Sequence, residues 1–164
     1  MSLLDKLTNR RRDKPAIPDG PVSYRPIGVV RNKVRESRPS GWEDVRSEIV
    51  LLDEFTSALE AIEGFSHFIV VFHFDRVPAD VRRLQLPVGN ETPPPERGVL
   101  ATRSQLRPNP IGVSVVPLLG RDGAVLQVKG LDALDGTPVL DVKPDLPEYD
   151  SVPGAKLPSW AIKR

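Results

Sequence analysis

Short apolar stretches recur along this chain, and turn-forming residues separate them. Seven stretches show the alternation, or the β-branched and aromatic enrichment, that is typical of strands. They lie at 22–34, 47–52, 66–74, 98–102, 112–119, 124–131 and 138–143. Their connections are too short for helical crossovers, so neighbouring strands must pair mainly antiparallel. The pattern predicts a mainly β protein, either an antiparallel β-barrel or a barrel-like sandwich.

A helical period appears at 54–64, where the apolar residues fall near one face and Gly64 supplies a stop signal. We therefore expect one or two short helices beside the sheet. The polar, proline-rich stretch 78–97 predicts a mobile loop over or beside a site. The residues at 120–123 predict a hairpin turn between two of the strands.

The composition divides the chain into three parts. We expect a basic leader at 1–20, one β-barrel domain at 21–147 and a polar tail at 148–164, with Trp160 packed on the body or on a partner chain. A chain of 164 residues is long enough to bury a core. Its 18 prolines, roughly twice the average usage, belong mainly in loops and at strand ends.

Charge and cysteine content narrow the function classes. The net charge of +1 conceals a basic cluster at 10–14, which either contacts nucleic acid or is a solvated leader. The absence of cysteine excludes disulfides, thiolate catalysis and thiolate metal sites. No apolar stretch approaches membrane-spanning length and no signal-peptide core is present, so we expect a cytoplasmic protein without membrane contact.

His67 and His73 are the only histidines. On a strand both side chains point to one face, about 20 Å apart at roughly 3.3 Å per residue. That separation is too large for one shared metal ion, and we expect half-buried strand histidines and no metal site. The chain contains no G-x-G-x-x-G run and no P-loop, so no Rossmann domain is predicted.

The stretch RSQLRPNPIG, at 103–112, combines two arginines with an asparagine between two prolines. Pro108 and Pro110 fix their own φ and favour extended conformations for the residues before them, so this corner is stiff. Its backbone groups lack ladder partners and must meet a ligand or side chains such as Asn109. Arg103 and Arg107 can hold a carboxylate or phosphate through paired hydrogen bonds. The residues alone allow either a binding corner or a rigid structural one.

The stretch LDALDGTPVLDVKP, at 131–144, contains a turn signature at 135–138. Asp141 and Lys143 share parity on the last predicted strand, so we expect them to pair on one face. The stretch is either a hairpin turn with a surface ion pair or a carboxylate site for a cationic or hydroxylated ligand.

Three segments in this order, at 65–74, 98–116 and 131–144, resemble the TsaA/TrmO family, and the string Arg-Pro-Asn-Pro-Ile-Gly is the most recognisable piece. The resemblance implies an S-adenosylmethionine-dependent methyltransferase built on a β-barrel. Characterised members methylate N6 of threonylcarbamoyladenosine beside the anticodon of threonine tRNAs. It also implies a homodimer with the cofactor near the subunit interface, and longer members with an extra carboxy-terminal domain for which this chain is too short.

The resemblance further implies the roles of individual residues. The cofactor-binding positions would be Arg38, Phe74, Asp75, Arg103, Val113, Asp135, Gly136, Thr137 and Pro138. The catalytic positions would be Asp141, Lys143 and Asn109, with Asp141 or Asp135 accepting or orienting the acceptor proton. The substrate-binding positions would be Arg107, Asn109 and Lys143, which would hold tRNA phosphate or base edges.

One departure from the family concerns the methyl acceptor. Relatives commonly read Asp-Ile-Lys-Pro-Tyr, whereas this chain has Asp145 in place of the tyrosine. An aromatic ring that stacks on a base contributes about 1–3 kcal/mol, so its loss affects the acceptor more than the cofactor. Two alternatives stay open: a non-catalytic RNA-binding barrel, and a methyltransferase with a small-molecule acceptor.

Overall fold

A computed structural model describes residues 20–161, so the basic cluster at 10–14 and the rest of the leader before Gly20 lie outside the described residues. The strands are β1 (Gly28–Arg31), β2 (Arg46–Leu51), β3 (His67–His73), β4 (Gln85–Pro87), β5 (Glu96–Gly98), β6 (Ile111–Asp122), β7 (Val125–Lys129) and β8 (Pro138–Pro144). The described part contains one short α-helix, α1 (Pro147–Asp150), and five 3-10 segments: Asp53–Leu59, Ile62–Gly64, Ala79–Val81, Val99–Ala101 and Ser159–Ala161. The predicted mainly β fold is confirmed.

Six strands close into an antiparallel barrel in the order β1-β2-β7-β6-β3-β8, with β8 pairing back to β1. The strands β4 and β5 form a separate two-stranded ribbon. The barrel is closed because each of its strands has partners on both sides, so no strand edge is left open over its full length. The antiparallel β-barrel was therefore the correct alternative.

The core lies inside the barrel and follows the two-residue period of the strands. On β3, Phe68, Val70 and Phe72 point inward and are at most 1% exposed, while the residues between them are only half-buried. The partners on the other strands are Val30, Ile49, Leu51, Val116, Leu126, Val128 and Val139. Burying such side chains contributes roughly 1.5–3 kcal/mol each, so alternation on the barrel strands is the main determinant of this fold.

The helix predicted at 54–64 is wrong in type. Two 3-10 segments cover these residues, and between them Ala61 adopts a left-handed φ of 64° that interrupts any continuous helix. Thr56 donates its hydroxyl to the Asp53 carbonyl at 2.8 Å, so its side chain competes with the regular helical pattern. Only Leu59 of the expected apolar face is buried in the first segment, which gives an α-helix little packing to stabilise it.

Three other predicted bounds also needed correction. The strand predicted at 22–34 is only the four residues of β1, because the main-chain amide of Asn32 donates to the Asp135 carboxylate instead of continuing the ladder. The strand at 98–102 is a 3-10 turn, because Thr102 donates both its amide and its hydroxyl to the Val99 carbonyl. The loop at 78–97 contains β4 and most of β5, which pair as a ribbon.

The predicted hairpin between two core strands is confirmed, but its turn lies at 123–124 rather than at 120–123, because residues 120–122 still pair within β6. Asp122 pairs with Val125, and Gly123 turns the chain with a left-handed φ of 55°. The tail returns to the body at Trp160, whose ring lies 4.6 Å below the Arg97 guanidinium of β5. This contact confirms that Trp160 packs on the body.

Candidate functional site

Two adjoining cavities lie beside the carboxyl end of β3, and Phe74 and Asp132 line both of them. The first, which we name the turn cavity, has a volume of about 280 Å³. It is lined by Arg35, Glu36, Ser37, Trp42, Phe74, Asp75, Arg76, Val77, Gln105, Asp132, Ala133, Leu134 and Thr137. The second, the arginine cavity, has a volume of about 310 Å³. It is lined by Phe72, Phe74, Arg103, Arg107, Ile111, Gly112, Val113 and Asp132.

The carboxylate of Asp135 fastens the turn after β7 to the end of β1. Asp135 is 7% exposed; its Oδ1 accepts from the Asn32 amide at 3.0 Å, and its Oδ2 accepts from Arg35. The Arg31 guanidinium lies 3.9 Å from the same Oδ2. Both carboxylate oxygens of Asp135 are therefore bonded to other groups of this chain. Because Arg35 lines the turn cavity, Asp135 holds part of that cavity's wall in position.

Asn32 and Arg76 complete this connection. The Asn32 side-chain amide donates to the Ser47 hydroxyl at 3.0 Å and to the Ala133 carbonyl at 2.9 Å. Arg76 donates to the Arg35 carbonyl and to the Asp135 carbonyl, both at 2.7 Å. One guanidinium thus joins the β1–β2 loop, the segment after β3 and the turn, which are the three main walls of the turn cavity.

The turn itself requires a glycine at one position. Gly136 has a φ of 85°, a left-handed conformation that other residues adopt at a cost. Its amide donates to the Val30 carbonyl at 2.8 Å, which fixes the turn against β1. Of the four predicted turn positions, Thr137 lines the turn cavity, and Pro138 begins β8.

The stiff corner at 103–110 forms one side of the arginine cavity. Arg103 donates to the Val113 carbonyl at 2.5 Å, so its guanidinium lies along β6. The corner's backbone is held by local hydroxyls: the Ser104 hydroxyl accepts from the Leu106 amide at 3.2 Å. Arg107 lines the cavity, and the part of the chain described here gives it no ion pair. The corner is therefore both rigid and lined with cationic groups, which suits an anionic ligand group.

An aromatic pair forms the shared wall of the two cavities. The rings of Phe72 and Phe74 meet edge to face with centroids 5.2 Å apart. Phe72 packs directly on the backbone of Gly112, where an added Cβ would lie 2.3 Å from the ring. The close approach of strand and ring fixes the position of Phe74 between the cavities.

Arg38 and Asp75 were both predicted as cofactor contacts, but only Asp75 lies on the wall of the turn cavity. Asp75 lines the turn cavity directly. Arg38 lies 4.7 Å above the Trp42 ring and donates to the Gly41 carbonyl, so it supports Trp42, which is the residue that lines the cavity.

Asp141 and Lys143 form the predicted pair, with Nζ 2.6 Å from Oδ2, on the outward face of β8. This hydrogen bond, together with the opposite charge, raises the pKa of Lys143 above its ordinary value. Neither residue lines the turn cavity or the arginine cavity. Asp145, at the family's tyrosine position, donates its amide to the His67 carbonyl at 3.0 Å, at the end of β3 remote from Phe74.

Asn109 lies in a third cavity, which adjoins the arginine cavity at Ile111. The histidines are placed on the outward face of β3, with His73 half-buried as expected and His67 exposed. Residues 20–161 contain no group of three or more acidic or histidine side chains able to hold a metal ion. None of the helices in that range has the length and apolar character that crossing a membrane requires.

Sequence reasoning missed four residues that line or support the turn cavity: Asn32, Arg35, Trp42 and Arg76. Gln105 lies inside the corner motif and could have been found from it. The arginines carried no such signal, because Arg35 bonds to the distant Asp135 carboxylate and Arg76 to main-chain carbonyls that only the fold brings near.

Comparison with known proteins agrees with this geometry. Residues 33–151 match the family described as the tRNA-methyltransferase O N-terminal domain. An S-adenosyl-L-methionine-binding protein of Archaeoglobus fulgidus is 42% identical over 132 residues, which are 78% of this chain and 92% of that protein. The tRNA (adenine(37)-N6)-methyltransferase of Escherichia coli is 34% identical over 143 residues, 80% of this chain and 61% of that enzyme.

A crystal structure of TrmO from Pseudomonas aeruginosa superposes with a TM-score of 0.67 at 34% identity and covers 88% of this chain. The match spans 64% of that chain, so this protein corresponds to less than two thirds of the TrmO structure. The family match at 33–151 contains the barrel strands β2, β3, β6, β7 and β8, the ribbon β4–β5, the corner and both cavities. This chain therefore belongs to the tRNA-methyltransferase O N-terminal domain family.

Proposed function

We propose that this protein is an S-adenosylmethionine-dependent methyltransferase that modifies N6 of threonylcarbamoyladenosine beside the anticodon of threonine-accepting tRNA, in the cytoplasm. The observation that carries the proposal is the pair of adjoining cavities, which the family's matched segments build around Phe74. The names of the Archaeoglobus and Escherichia coli relatives support the cofactor and the substrate class.

The residues present fit the cofactor. Its adenosine and amino acid parts need two connected compartments, and the turn and arginine cavities share Phe74 and Asp132. Arg103 and Arg107 offer guanidinium groups to a carboxylate. The Asp132 carboxylate lies on the wall that the two cavities share, and the Phe74 ring offers a face to a cationic centre. Thr137 and the neighbouring main-chain groups offer hydrogen bonds to hydroxyls and base edges.

When bound, S-adenosylmethionine supplies a methyl group on a positively charged sulfur that leaves as a neutral thioether. The acceptor nitrogen forms the new N–C bond with its own electron pair and gives up one proton. The chain's residues therefore have to bind and orient the two reactants and exclude water, and little covalent chemistry falls to the protein. A stiff corner and an interlocked turn suit that task.

The acceptor proton needs a carboxylate or water near the junction of the cavities. Asp135 is poorly suited, because Arg35 and the Asn32 amide already occupy its oxygens. Asp141 is held by Lys143 on the outer face of β8 and can reach an acceptor only from that side.

We propose further that two copies of the chain associate through the outer face of β3 and β6. Ile69 and Val71 pair with Val115 and Val113 there, and these two β6 valines are 55% and 40% exposed. A row of exposed branched residues on adjacent strands is typical of an interface. Val115→Glu is expected to convert a dimer to a monomer in sedimentation velocity, with Leu157→Glu in the exposed tail as the matched control.

The function is tested with the purified full chain, tritiated S-adenosylmethionine and tRNA from a strain that lacks its gene. We expect cofactor binding in calorimetry, and nucleoside mass spectrometry showing one added methyl group on threonylcarbamoyladenosine. Arg103→Met is expected to weaken cofactor binding, whereas Lys156→Met, which lines neither cavity, is expected to leave it unchanged. Cofactor binding without methylation of any nucleoside would favour the non-catalytic RNA-binding barrel, and methylation of a small molecule alone would refute the tRNA assignment.

A further inference from the structure

The third cavity is the largest of the three, at about 630 Å³, and no role has yet been given to it. It lies between the segment that precedes β1, the end of the corner and the start of β8. Its walls include the rings of Tyr24, Pro26 and Pro138, with His73 and Asn109 as polar members. We name it the acceptor groove for the reason developed below.

Three polar side chains of the groove have no hydrogen-bond partner within the described range 20–161: the Tyr24 hydroxyl, the His73 ring and the Asn109 amide. The Tyr24 ring is 70% exposed in a groove that is otherwise lined largely by prolines and apolar residues. Tyr24 and Asn109 therefore bring an exposed aromatic ring and an unpaired side-chain amide to one groove. This combination suits a flat heterocyclic ligand, since a ring face supports stacking and an amide both donates and accepts at one edge.

The position of the groove selects among such ligands. Ile111 lines the acceptor groove on one side and the arginine cavity on the other. Asn109 lies two residues before Ile111 in the stiff corner, so the amide is held at the junction by Pro108 and Pro110. A ligand in the groove is thus a neighbour of whatever occupies the arginine cavity.

We propose that the acceptor groove binds the purine that receives the methyl group, with its ring stacked on Tyr24 and its edge hydrogen-bonded to Asn109. This inference rests on the proposed function, because it takes the arginine cavity to be part of the cofactor site. It assigns Tyr24 to substrate binding, which neither the sequence nor the family match assigned.

The test uses an anticodon stem–loop RNA with 2-aminopurine at the acceptor position, because 2-aminopurine emission falls when the base stacks on an aromatic ring. We expect quenching by the wild-type protein, loss of quenching with Tyr24→Ala and Tyr24→Leu, and retention with Tyr24→Phe. The stacking lost in Tyr24→Ala and Tyr24→Leu is expected to weaken RNA binding by about 5- to 150-fold. Asn109→Ala is expected to lower kcat/KM for tRNA, while calorimetric binding of S-adenosylmethionine stays unchanged in all four variants.

Tyr149→Ala is the matched control, because this tyrosine is 81% exposed and lines none of the three cavities. Equal RNA binding by Tyr24→Ala and Tyr149→Ala would overturn the inference while leaving the methyltransferase proposal intact. Quenching that depends on Tyr24, together with no methyl transfer by the wild-type protein to tRNA that carries threonylcarbamoyladenosine, would keep the groove as a purine site but overturn its role in methyl transfer and refute the enzyme. A change in sedimentation with Tyr24→Ala and none in quenching would make the groove a contact between copies and would also overturn the inference.

Discussion

Gly112 tests whether the wall between the two cavities is as tightly built as the structure indicates. In Gly112→Ala the new Cβ would lie 2.3 Å from Cε2 and 2.4 Å from Cζ of Phe72, where ordinary contacts begin near 3.4 Å. The ring must therefore move by about 1 Å. Phe72 is 1% exposed, so the ring can move only into the packed core or into the arginine cavity that it lines. Overpacking of this kind costs about 1–3 kcal/mol of unfolding free energy.

The displacement should also reach the cavities, because Phe72 packs edge to face on Phe74. Disturbing such a pair costs about 0.5–1.5 kcal/mol, which corresponds to a several-fold weaker affinity for S-adenosylmethionine. Urea unfolding measures the first effect and calorimetry the second. Gly98→Ala is the control, since nothing lies within 4 Å of its added Cβ. Gly112→Ala with the stability and affinity of Gly98→Ala would refute the reasoning.

Three further changes probe separate contacts. Asp135→Ala should lower the unfolding free energy by about 1–3 kcal/mol in urea denaturation, because the part-buried main-chain amide of Asn32 loses its acceptor. Asp135→Asn keeps an acceptor oxygen and should lower the unfolding free energy by less. Asp141→Asn should lower the pKa of Lys143 back toward its ordinary value, since its hydrogen bond to a carboxylate and the opposite charge are lost; an unchanged side-chain nitrogen NMR titration would contradict this. Trp160→Ala should destabilise the β4–β5 ribbon by about 0.5–1 kcal/mol through loss of the stacking with Arg97, visible as faster amide exchange confined to those strands.

The barrel was predictable because its strands carry their own signal. In β3 the continuous β-branched and aromatic run predicted the strand but not its inward face, because Ile69 and Val71 are as apolar as the buried Phe68, Val70 and Phe72. The predictions at 54–64 and 98–102 failed because polar side chains there override the local apolar pattern. Thr56 and Thr102 redirect the backbone into 3-10 turns, and no apolar period records that competition.

The candidate site was predictable only in part, for a different reason. The corner and the turn are contiguous motifs that alone allowed either a binding or a structural role, and only the resemblance to a known family predicted Arg103, Phe74 and Thr137 to lie at one site. Arg76 and Asn32 act through main-chain carbonyls on other segments, and that relation exists only once the barrel is closed. Sequence motifs identify the segments of such a site but not the side chains that fasten them together.

The hydrogen-bond network around Asp135 determines when, during folding, the protein becomes able to bind its cofactor. Its carboxylate reaches Asn32 and Arg35, which lie 103 and 100 positions earlier in the chain, and Arg76 joins the same group across 59 positions. Contacts of such sequence separation form slowly and late, because the loops between them must close first. The turn cavity can therefore exist only after the strands between β1 and the turn have been synthesised and folded. Cofactor binding should accordingly occur only once folding is complete. A ligand present during refolding should stabilise the product of the last folding step and have little effect on the first folding step.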